Sequence, residues 1–290
     1  MKRLVLLALV AACRSPSPPP APWHEVAGYR WRDLAAAGKL TPGFTQLTHT
    51  GIAFTNTVSD SALVHNRQLA QGAGVCLADV DGDGLPDVFL ARTAGANALY
   101  RNLGGWRFAD STASAGVAGP SGGRQSTGCA FADLDGDGDQ DLILVSLGKG
   151  NAVFINDGKG HFTERALPDT AGSMTIAVAD VDGDGDLDVY IANNKAYTTL
   201  DRMSPQERSF GQVTRQLGPN QYEIREPYHR DYRLADRPDL GGISLEQRAD
   251  PDFFYLNDGA GHFTREPLAH NPRFLDASGK ELTDEPEYFG

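Results

Sequence analysis

The sequence predicts an all-β protein built from repeated four-stranded antiparallel sheets. Three observations support this fold class. An Asp-rich loop of nine residues occurs three times, each copy lies between two apolar runs, and a turn rich in Asn and Gly follows at a related distance. Such self-similarity is typical of architectures in which one supersecondary unit packs on the next.

The three loops read DVDGDGLPD at residues 79–87, DLDGDGDQD at 133–141 and DVDGDGDLD at 180–188. The four residues before each loop and the four after it are all apolar. Continuous apolar runs rich in β-branched and aromatic residues are typical of strands that are buried on both faces. Each loop is therefore predicted to join the first two strands of its unit.

The spacing of the units continues beyond the loops. Asn102 and Asn156 each lie 23 residues after the first Asp of their loop, whereas Asn257 lies 77 residues after Asp180. The segments NLGG, NDGKG and NDGAG that begin at these Asn residues have the composition of hairpin turns. Each unit is thus predicted to form a four-stranded antiparallel meander, which is the structure of one blade of a β-propeller. The 54 extra residues of the third unit (77 minus 23) predict an insertion at 195–249, between its second and third strands.

The loops have the chemistry of calcium sites. Carboxylates fall at positions 1, 3, 5 and 9, a Gly at position 6 permits a sharp turn, and position 7 offers a backbone carbonyl. Calcium prefers such oxygen cages, whereas the smaller magnesium ion retains several waters. We therefore predict about three Ca²⁺ ions. The predicted ligands are Asp79, Asp81, Asp83, Leu85, Asp87, Asp133, Asp135, Asp137, Asp139, Asp141, Asp180, Asp182, Asp184, Asp186 and Asp188.

Two other interpretations of the loops are disfavoured. An EF-hand needs a bidentate Glu at position 12, where this chain has Leu90, Leu144 and Ile191 within strand-like runs. Solvated acidic turns would not be expected to recur three times in one register.

The motif D-x-D-G-D-G-x-x-D between buried strands resembles the FG-GAP or VCBS repeat, which is known from integrin α-subunit propellers and many bacterial surface proteins. The segments LYRNLG at 99–104, FADST at 108–112 and AGV at 115–117 are similar to the cartilage-acidic-protein-like group of secreted propellers. This resemblance covers residues 44–268 and implies calcium ligands at positions 1, 3, 5 and 9. It does not specify an activity, because this fold hosts many functions.

Three blades are fewer than the four to eight of a closed propeller. Residues 44–48, followed by Gly51 and Ile52, repeat the pattern of residues 108–112 followed by Gly116 and Val117. We therefore expect an incomplete ring of three full blades plus one lone strand at 44–48. The alternatives are a part of a longer propeller, with about seven blades, and a ring completed by oligomerisation.

The N-terminus predicts export and lipidation. Residues 1–12 have the basic start and apolar run of a signal peptide, and VAAC at 10–13 resembles a lipobox whose Cys13 carries the lipid. A Pro-rich linker extends over 13–23, an N-terminal segment over 24–66, and the blades over 67–290. An ordinary cleaved signal with a chance cysteine is the alternative. Export would permit a disulfide between Cys76 and Cys129, but two buried free thiols are the expected state.

The formal net charge of -12 disfavours nucleic acid as a partner. No motif of a zinc protease, a Ser hydrolase or a P-loop occurs. In a meander, the insertion lies on the rim opposite the Asp loops, and its capping box at Ser204 and Glu207 predicts a short helix that ends at Leu217. His229 with Glu223, Glu226 and Asp231 is a candidate acid–base group.

These features predict a non-enzymatic calcium-binding propeller at the cell envelope, held to the membrane by a lipid anchor. Its partner is expected to be a protein or glycan at the cell surface, bound at the loop-rich rim. A polysaccharide hydrolase or lyase is one alternative, and a structural repeat module of a larger assembly is another.

Overall fold

A computed structural model of the chain describes residues 22, 24–26, 29–31, 44–120 and 123–286. The predicted signal peptide at 1–12 and Cys13 lie outside these residues, as does most of the Pro-rich linker. The chain divides into two compact units, Met1–Thr48 and His49–Gly290. The first unit contains an antiparallel pair of strands, β1 (His24–Val26) and β2 (Tyr29–Trp31).

The second unit contains three four-stranded antiparallel sheets, each with the strand order of a meander. Blade 1 consists of β3 (Val75–Ala78), β4 (Asp87–Leu90), β5 (Ala98–Asn102) and β6 (Phe108–Asp110). Blade 2 consists of β7 (Ser126–Ala132), β8 (Asp141–Ser146), β9 (Ala152–Asn156) and β10 (Phe162–Ala166). Blade 3 consists of β11 (Gly172–Ala179), β12 (Asp188–Asn194), β17 (Phe253–Asn257) and β18 (Phe263–Glu266). These sheets confirm the all-β class and the predicted repeat.

The apolar core lies between neighbouring blades. Alternate residues of a strand point to opposite faces of the sheet. A strand of the middle blade therefore contributes side chains to the apolar core on each side of that blade. In β8, Leu142 and Leu144 pack towards blade 1, while Ile143 and Val145 pack towards blade 3. All four side chains are fully buried, which explains why β8 has a continuous apolar sequence.

The residues between β12 and β17 form a small structure of their own. They contain the hairpins β13 (Thr214–Gly218) with β14 (Gln221–Ile224) and β15 (Tyr232–Arg237) with β16 (Gly242–Gln247). Short helices precede them at Thr199–Arg202 and Phe210–Val213, and 3-10 turns lie at Tyr228–Arg230 and Pro238–Leu240. A separate apolar cluster of Val213, Ile224 and Tyr232 holds the hairpins together.

The predicted helix up to Leu217 is wrong. The capping box does form, since the Ser204 N–H donates to Glu207 at 2.8 Å and the Glu207 N–H donates to Ser204 Oγ at 3.4 Å. The chain then makes one turn of helix at Phe210–Val213 and enters β13. The strand is favoured because pairing with β14 buries Val213 and Ile224, which an isolated short helix would leave exposed.

The lone strand expected at residues 44–48 is not formed, and these residues are irregular and exposed. A strand requires partners for its backbone groups, and the other three strands of such a blade are missing from the described residues. The connector that follows does occupy its repeat position. A Cβ atom at Gly51 would meet the Phe108 carbonyl, just as one at Gly116 would lie 3.2 Å from the Phe162 carbonyl.

The N-terminal connector is irregular up to Ser59 and then forms two short helical segments. It contains α1 (Asp60–His65) and a 3-10 turn at Arg67–Gln71, and a further short helix, Thr112–Ala115, lies between blades 1 and 2. Among the described residues, no helix is long and apolar enough to cross a membrane.

The expectation of free thiols is also wrong, because Cys76 and Cys129 form a disulfide. Cys76 lies in β3 and Cys129 in β7, so the bond joins the first strands of blades 1 and 2. The two strands pack face to face across the blade interface, and their Cα atoms lie 6.1 Å apart at this point. This distance is ordinary for a disulfide.

Candidate metal centres

Each Asp loop is closed by the carboxylate at position 9, which begins the second strand. In loop 2, Asp141 Oδ2 accepts the Leu134 N–H at 2.8 Å and Asp141 Oδ1 accepts the Asn156 N–H at 2.7 Å. Asp87 and Asp188 make the same pair of contacts in loops 1 and 3. One buried carboxylate thus ties the loop to the start of the tight turn, so both lie on one rim of the blade.

The carboxylate at position 1 shapes the loop from the other side. Asp79, Asp133 and Asp180 each accept the backbone N–H of the Gly at position 6, at 2.7, 3.0 and 3.2 Å. This Gly has a positive φ in every loop, 85° at Gly84 and 95° at Gly138, which explains its recurrence.

The folded loops bring the carboxylates at positions 1, 3 and 9 together. The three groups are Asp79, Asp81 and Asp87; Asp133, Asp135 and Asp141; and Asp180, Asp182 and Asp188. Within each group, one oxygen atom from every residue lies within 4.8 Å of the others. Three carboxylate oxygens at such separations form a donor set that could hold a divalent cation.

The remaining predicted ligands lie outside these groups. At position 5, Asp83, Asp137 and Asp184 each accept the backbone N–H of position 7 through Oδ1, at 2.8, 2.9 and 3.0 Å. These contacts orient the residues at position 7, which are Leu85, Asp139 and Asp186. Positions 5 and 7 therefore build the turn that surrounds the acidic group.

The clustering opposes ionisation of the loop carboxylates. Burial raises the pKa of Asp141 to about 6, although its two backbone N–H partners act in the opposite direction. Burial also raises the pKa of Asp87 and of Asp135, and neighbouring carboxylates add to the effect. In loop 3, loss of hydration and then the charge of Asp184 raise the pKa of Asp182 and of Asp186. A bound cation would reverse this penalty by attracting the carboxylates.

Loop 2 fits a cation best. Oδ1 of Asp135 is buried and has no hydrogen-bond partner among the described residues. An unpaired buried carboxylate oxygen is costly, so a ligand for it is expected at this point. In loop 1, the Arg101 guanidinium contacts the Asp81 carboxylate, and in loop 3 Arg273 lies 3.7 Å from Asp182. These cations partly neutralise the position-3 carboxylates of loops 1 and 3.

The same loops also connect neighbouring blades, because the Asn that begins the tight turn of blades 2 and 3 contacts the Asp loop of the preceding blade. Asn156 Nδ2 of blade 2 donates to the Val80 carbonyl of loop 1 at 2.8 Å. Asn257 Nδ2 of blade 3 donates to the Leu134 carbonyl of loop 2 at 2.7 Å. Val80 and Leu134, at position 2 of their loops, are 1% exposed because they insert into the next blade. Sequence reasoning placed these Asn residues in turns but missed this contact between blades.

The structure brings part of the predicted acid–base group together, since His229, Glu223 and Glu226 line one cleft of the insertion. His161 and His262 make equivalent contacts, each with Nδ1 at 3.1 Å from the Asp four residues earlier. His229 Nε2 lies 3.6 Å from Glu226, and both side chains are exposed. Glu223 pairs with Arg215 at the same cleft, whereas Asp231 pairs with Arg202 and lines a different cleft.

A cleft of about 240 Å³ lies where the insertion meets blade 3, on the rim opposite the loops. Its polar lining comes from Lys195, Arg202, Arg230, Asp231 and Asp250. Lys195 is 8% exposed, and its ammonium donates to Asp250 at 3.0 Å and to the Arg230 carbonyl at 3.1 Å.

Comparisons with known proteins agree with the repeat motif. A family model described as FG-GAP-like repeat matches residues 79–144 and 133–191, which together contain all three Asp loops. The chain is also similar to cartilage acidic protein 1 of Mus musculus, with 27% identity over 200 residues. That match covers 67% of this chain and 30% of the mouse protein, so the chain spans less than a third of this relative. The residues that carry the acidic loops are thus similar to FG-GAP-like repeats.

Proposed function

We propose that the chain is a non-enzymatic, calcium-binding FG-GAP/VCBS-type propeller module, lipid-anchored at the cell envelope, that binds a protein or glycan. The observation that carries this proposal is the contrast between the two rims. The acidic groups lie on one rim, in loops that also connect the blades. The insertion, with its own apolar cluster and cleft, lies on the other rim and is free to contact a partner.

Calcium is the cation that suits the loops. Every donor is an oxygen atom, and the buried Oδ1 of Asp135 needs a partner. The position-5 carboxylates and position-7 carbonyls would complete a shell of the size calcium prefers. When bound, the ion would neutralise the clustered charges, while Asp87, Asp141 and Asp188 would continue to hold the loops to the turns.

Thermal unfolding with and without calcium tests this step. Each ion bound only by the folded chain adds about 2.7 kcal/mol when free calcium is 100 times its dissociation constant. We expect a chelator to lower the melting temperature, calcium to restore it, and magnesium at the same concentration to restore it less. A melt that is unchanged in excess chelator would contradict structural calcium.

The disulfide supports export, because such bonds persist in oxidising compartments and are rare in the cytosol. The lipid anchor is tested by replacing Cys13 with Ser. We expect the variant to move from the membrane fraction to the soluble fraction, with the Cys76–Cys129 bond still formed in the exported protein. Equal membrane retention of both proteins would rule out lipidation at Cys13.

The charge of the insertion suits a surface partner. Residues 195–249 contain nine Lys and Arg and eight Asp and Glu, a net charge of +1. The rest of the chain therefore carries -13 (-12 minus +1). Arg and Tyr, which are frequent in recognition surfaces, are concentrated in this segment. An acidic glycan or an acidic protein surface would thus meet less repulsion here than elsewhere on the molecule.

An array of neutral and acidic polysaccharides tests the partner site. The matched control replaces residues 194–252 by a copy of residues 147–151, which make the corresponding connection in blade 2. We expect binding to the parent chain and loss of binding in the control, with calcium stoichiometry unchanged. Release of shortened product would instead indicate the hydrolase or lyase. Equal binding by both proteins would exclude the insertion as the site.

A further inference from the structure

The cleft between the insertion and blade 3 is built from residues that are far apart in the sequence. Lys195 follows β12 and Asp250 precedes β17, and these two strands pair in blade 3, so both residues lie at the base of the insertion. Arg202 ends a short helix, and Arg230 ends a 3-10 turn. With Asp231, these residues form the polar lining of a space of about 240 Å³.

The N-terminal connector holds the base of this cleft in place. Gln68 Nε2 donates to the Lys195 carbonyl at 3.0 Å, and Asn66 Nδ2 donates to the Ala196 carbonyl at 2.9 Å. Both donors are buried, with Gln68 4% and Asn66 3% exposed. The backbone at the base of the cleft is therefore fixed before any ligand binds, which lowers the entropy cost of binding.

The charges of the lining leave one cation over. The Lys195 ammonium donates to Asp250 Oδ1 at 3.0 Å, and the Arg202 guanidinium contacts the Asp231 carboxylate. Each carboxylate thus has its own cation, and the third cation, Arg230, makes no ion pair within the described part of the chain. The lining has a net charge of +1 (three minus two), whereas the whole chain carries -12. An uncompensated guanidinium in a cleft of an acidic protein points to an anionic ligand.

The lining also asks for a hydrogen-bond donor. Asp231 holds Arg202 through Oδ1, and its Oδ2 makes no hydrogen bond to another described residue. Arg230 presents a planar fork of N–H donors, which matches a carboxylate through two parallel bonds. A suitable ligand therefore carries a carboxylate for Arg230 and, close beside it, a hydroxyl that donates to Asp231.

The size and wall of the cleft restrict the ligand further. A space of about 240 Å³ is smaller than the roughly 300 to 1,000 Å³ of pockets for drug-sized molecules, so it suits one compact ring. Tyr197 lines the same cleft and is 44% exposed. The face of its aromatic ring is negative and attracts the weakly positive C–H groups on the apolar face of a sugar.

We infer that this cleft binds one uronic acid unit of an acidic polysaccharide. Its carboxylate lies on Arg230, a ring hydroxyl donates to Asp231, and its apolar face packs on Tyr197. This inference rests on the proposed partner site at the insertion and narrows the partner to a carboxylated sugar. An acidic peptide fits less well, because its carboxylates carry no neighbouring hydroxyl and Asp231 and Asp250 would repel a second acidic side chain.

A second hollow continues the cleft on the other side of Arg230. It has a volume of about 460 Å³, and Lys195, Arg230 and Asp250 line both spaces. His229 and Arg248 belong to the second space alone. A neighbouring sugar of the same chain would occupy it, so a short oligouronate should bind more tightly than the monosaccharide.

Calorimetric titration of the full chain in calcium tests the inference. The probes are trimers of galacturonate, glucuronate and mannuronate, each with its methyl ester, which keeps every hydroxyl but removes the charge. We expect at least one trimer to bind and its ester to bind at least about tenfold more weakly.

Arg230→Gln should weaken binding of that trimer roughly 10- to 100-fold. The variant should fold, because the side chain is exposed and its backbone carbonyl still accepts the Lys195 ammonium. Tyr197→Ala should also weaken binding. The matched control is Arg233→Gln, which removes the same charge from an exposed residue of the insertion outside the cleft lining and should bind as the parent does.

The outcomes separate this inference from the proposed function. If Arg230→Gln binds as the parent does while the chain without the insertion does not, the cleft assignment is wrong and the partner site at the insertion stands. Preference for the ester, for sulfated sugars or for acidic peptides would likewise overturn the uronate alone. Trimer binding that survives both changes would place the sugar elsewhere, for example on calcium at the Asp loops, and would overturn both. So would a parent chain that binds neither saccharides nor acidic peptides.

Discussion

Removal of the disulfide is the perturbation whose magnitude follows most directly from the fold. Cys76 and Cys129 are separated by 53 residues, so their bond closes a long loop in the unfolded chain. Loop-closure entropy for this length corresponds to about 4 kcal/mol of stability at 25 °C. Replacing both residues by Ala keeps their Cβ atoms in the apolar layer between blades 1 and 2, so little packing is lost. We therefore expect the double variant to lose about 4 kcal/mol, mainly through the unfolded state.

Calorimetry in calcium provides the measurement. For a unit of this size, about 4 kcal/mol corresponds to a fall in melting temperature of roughly 8 to 16 °C. Reductant should lower the melting temperature of the parent by the same amount and should not affect the double variant. The melting temperature of the parent could fail to change with reductant, or the double variant could have the same melting temperature as the parent. Either result would show that the bond between β3 and β7 does not constrain the blades.

Three further predictions concern the loops and the blade interfaces. Asp135→Asn should reduce the bound calcium by one ion, as measured by calorimetric titration, and loss of more than one ion would contradict independent loops. The double substitution Ala130→Cys and Ile176→Cys should form a second disulfide at the equivalent position between blades 2 and 3. This bond should raise the free energy of unfolding, measured by chemical denaturation, by up to about 4 kcal/mol. An unchanged unfolding midpoint in the oxidised protein would contradict the proposed equivalence. Asn257→Ala should lower the free energy of unfolding by about 1 to 2 kcal/mol. Asn102→Ala should lower it less, because Asn257 bonds to the preceding loop whereas Asn102 bonds to its own. Equal losses would contradict that role.

The repeated part of the fold could be predicted from the sequence because its signals are local and occur three times. The apolar runs gave the strands, and the Asn–Gly segments gave the tight turns. The acidic groups followed partly from spacing. Positions 1, 3 and 9 converge, whereas the position-5 carboxylates, such as Asp137, make backbone contacts within the turn. Spacing alone does not distinguish a carboxylate that points into the group from one that closes the turn.

The insertion could not be predicted in the same way, because its structure depends on partners within the insertion itself. The Ser204 capping box favours a helix start, and the contact formed, but pairing of β13 with β14 determined the following residues. The segment 44–48 shows the converse. Its sequence resembles a fourth strand, yet the described residues contain no blade for it to complete. Both differences arise because tertiary contacts override a local preference.

Free thiols were expected at Cys76 and Cys129, although the register contains the signal for the disulfide that forms. Cys76 lies three residues before the first Asp of its loop, and Cys129 lies four before its own. If the two distances differed by an even number, both side chains would lie on the same face of their blades and point in the same direction along the row of blades. Because the two distances, three and four residues, differ by one, Cys76 and Cys129 lie on opposite faces of their blades. Adjacent blades turn opposite faces towards each other, so the two side chains meet. Two cysteines in neighbouring first strands whose distances to their loops differ by an odd number are therefore expected to meet.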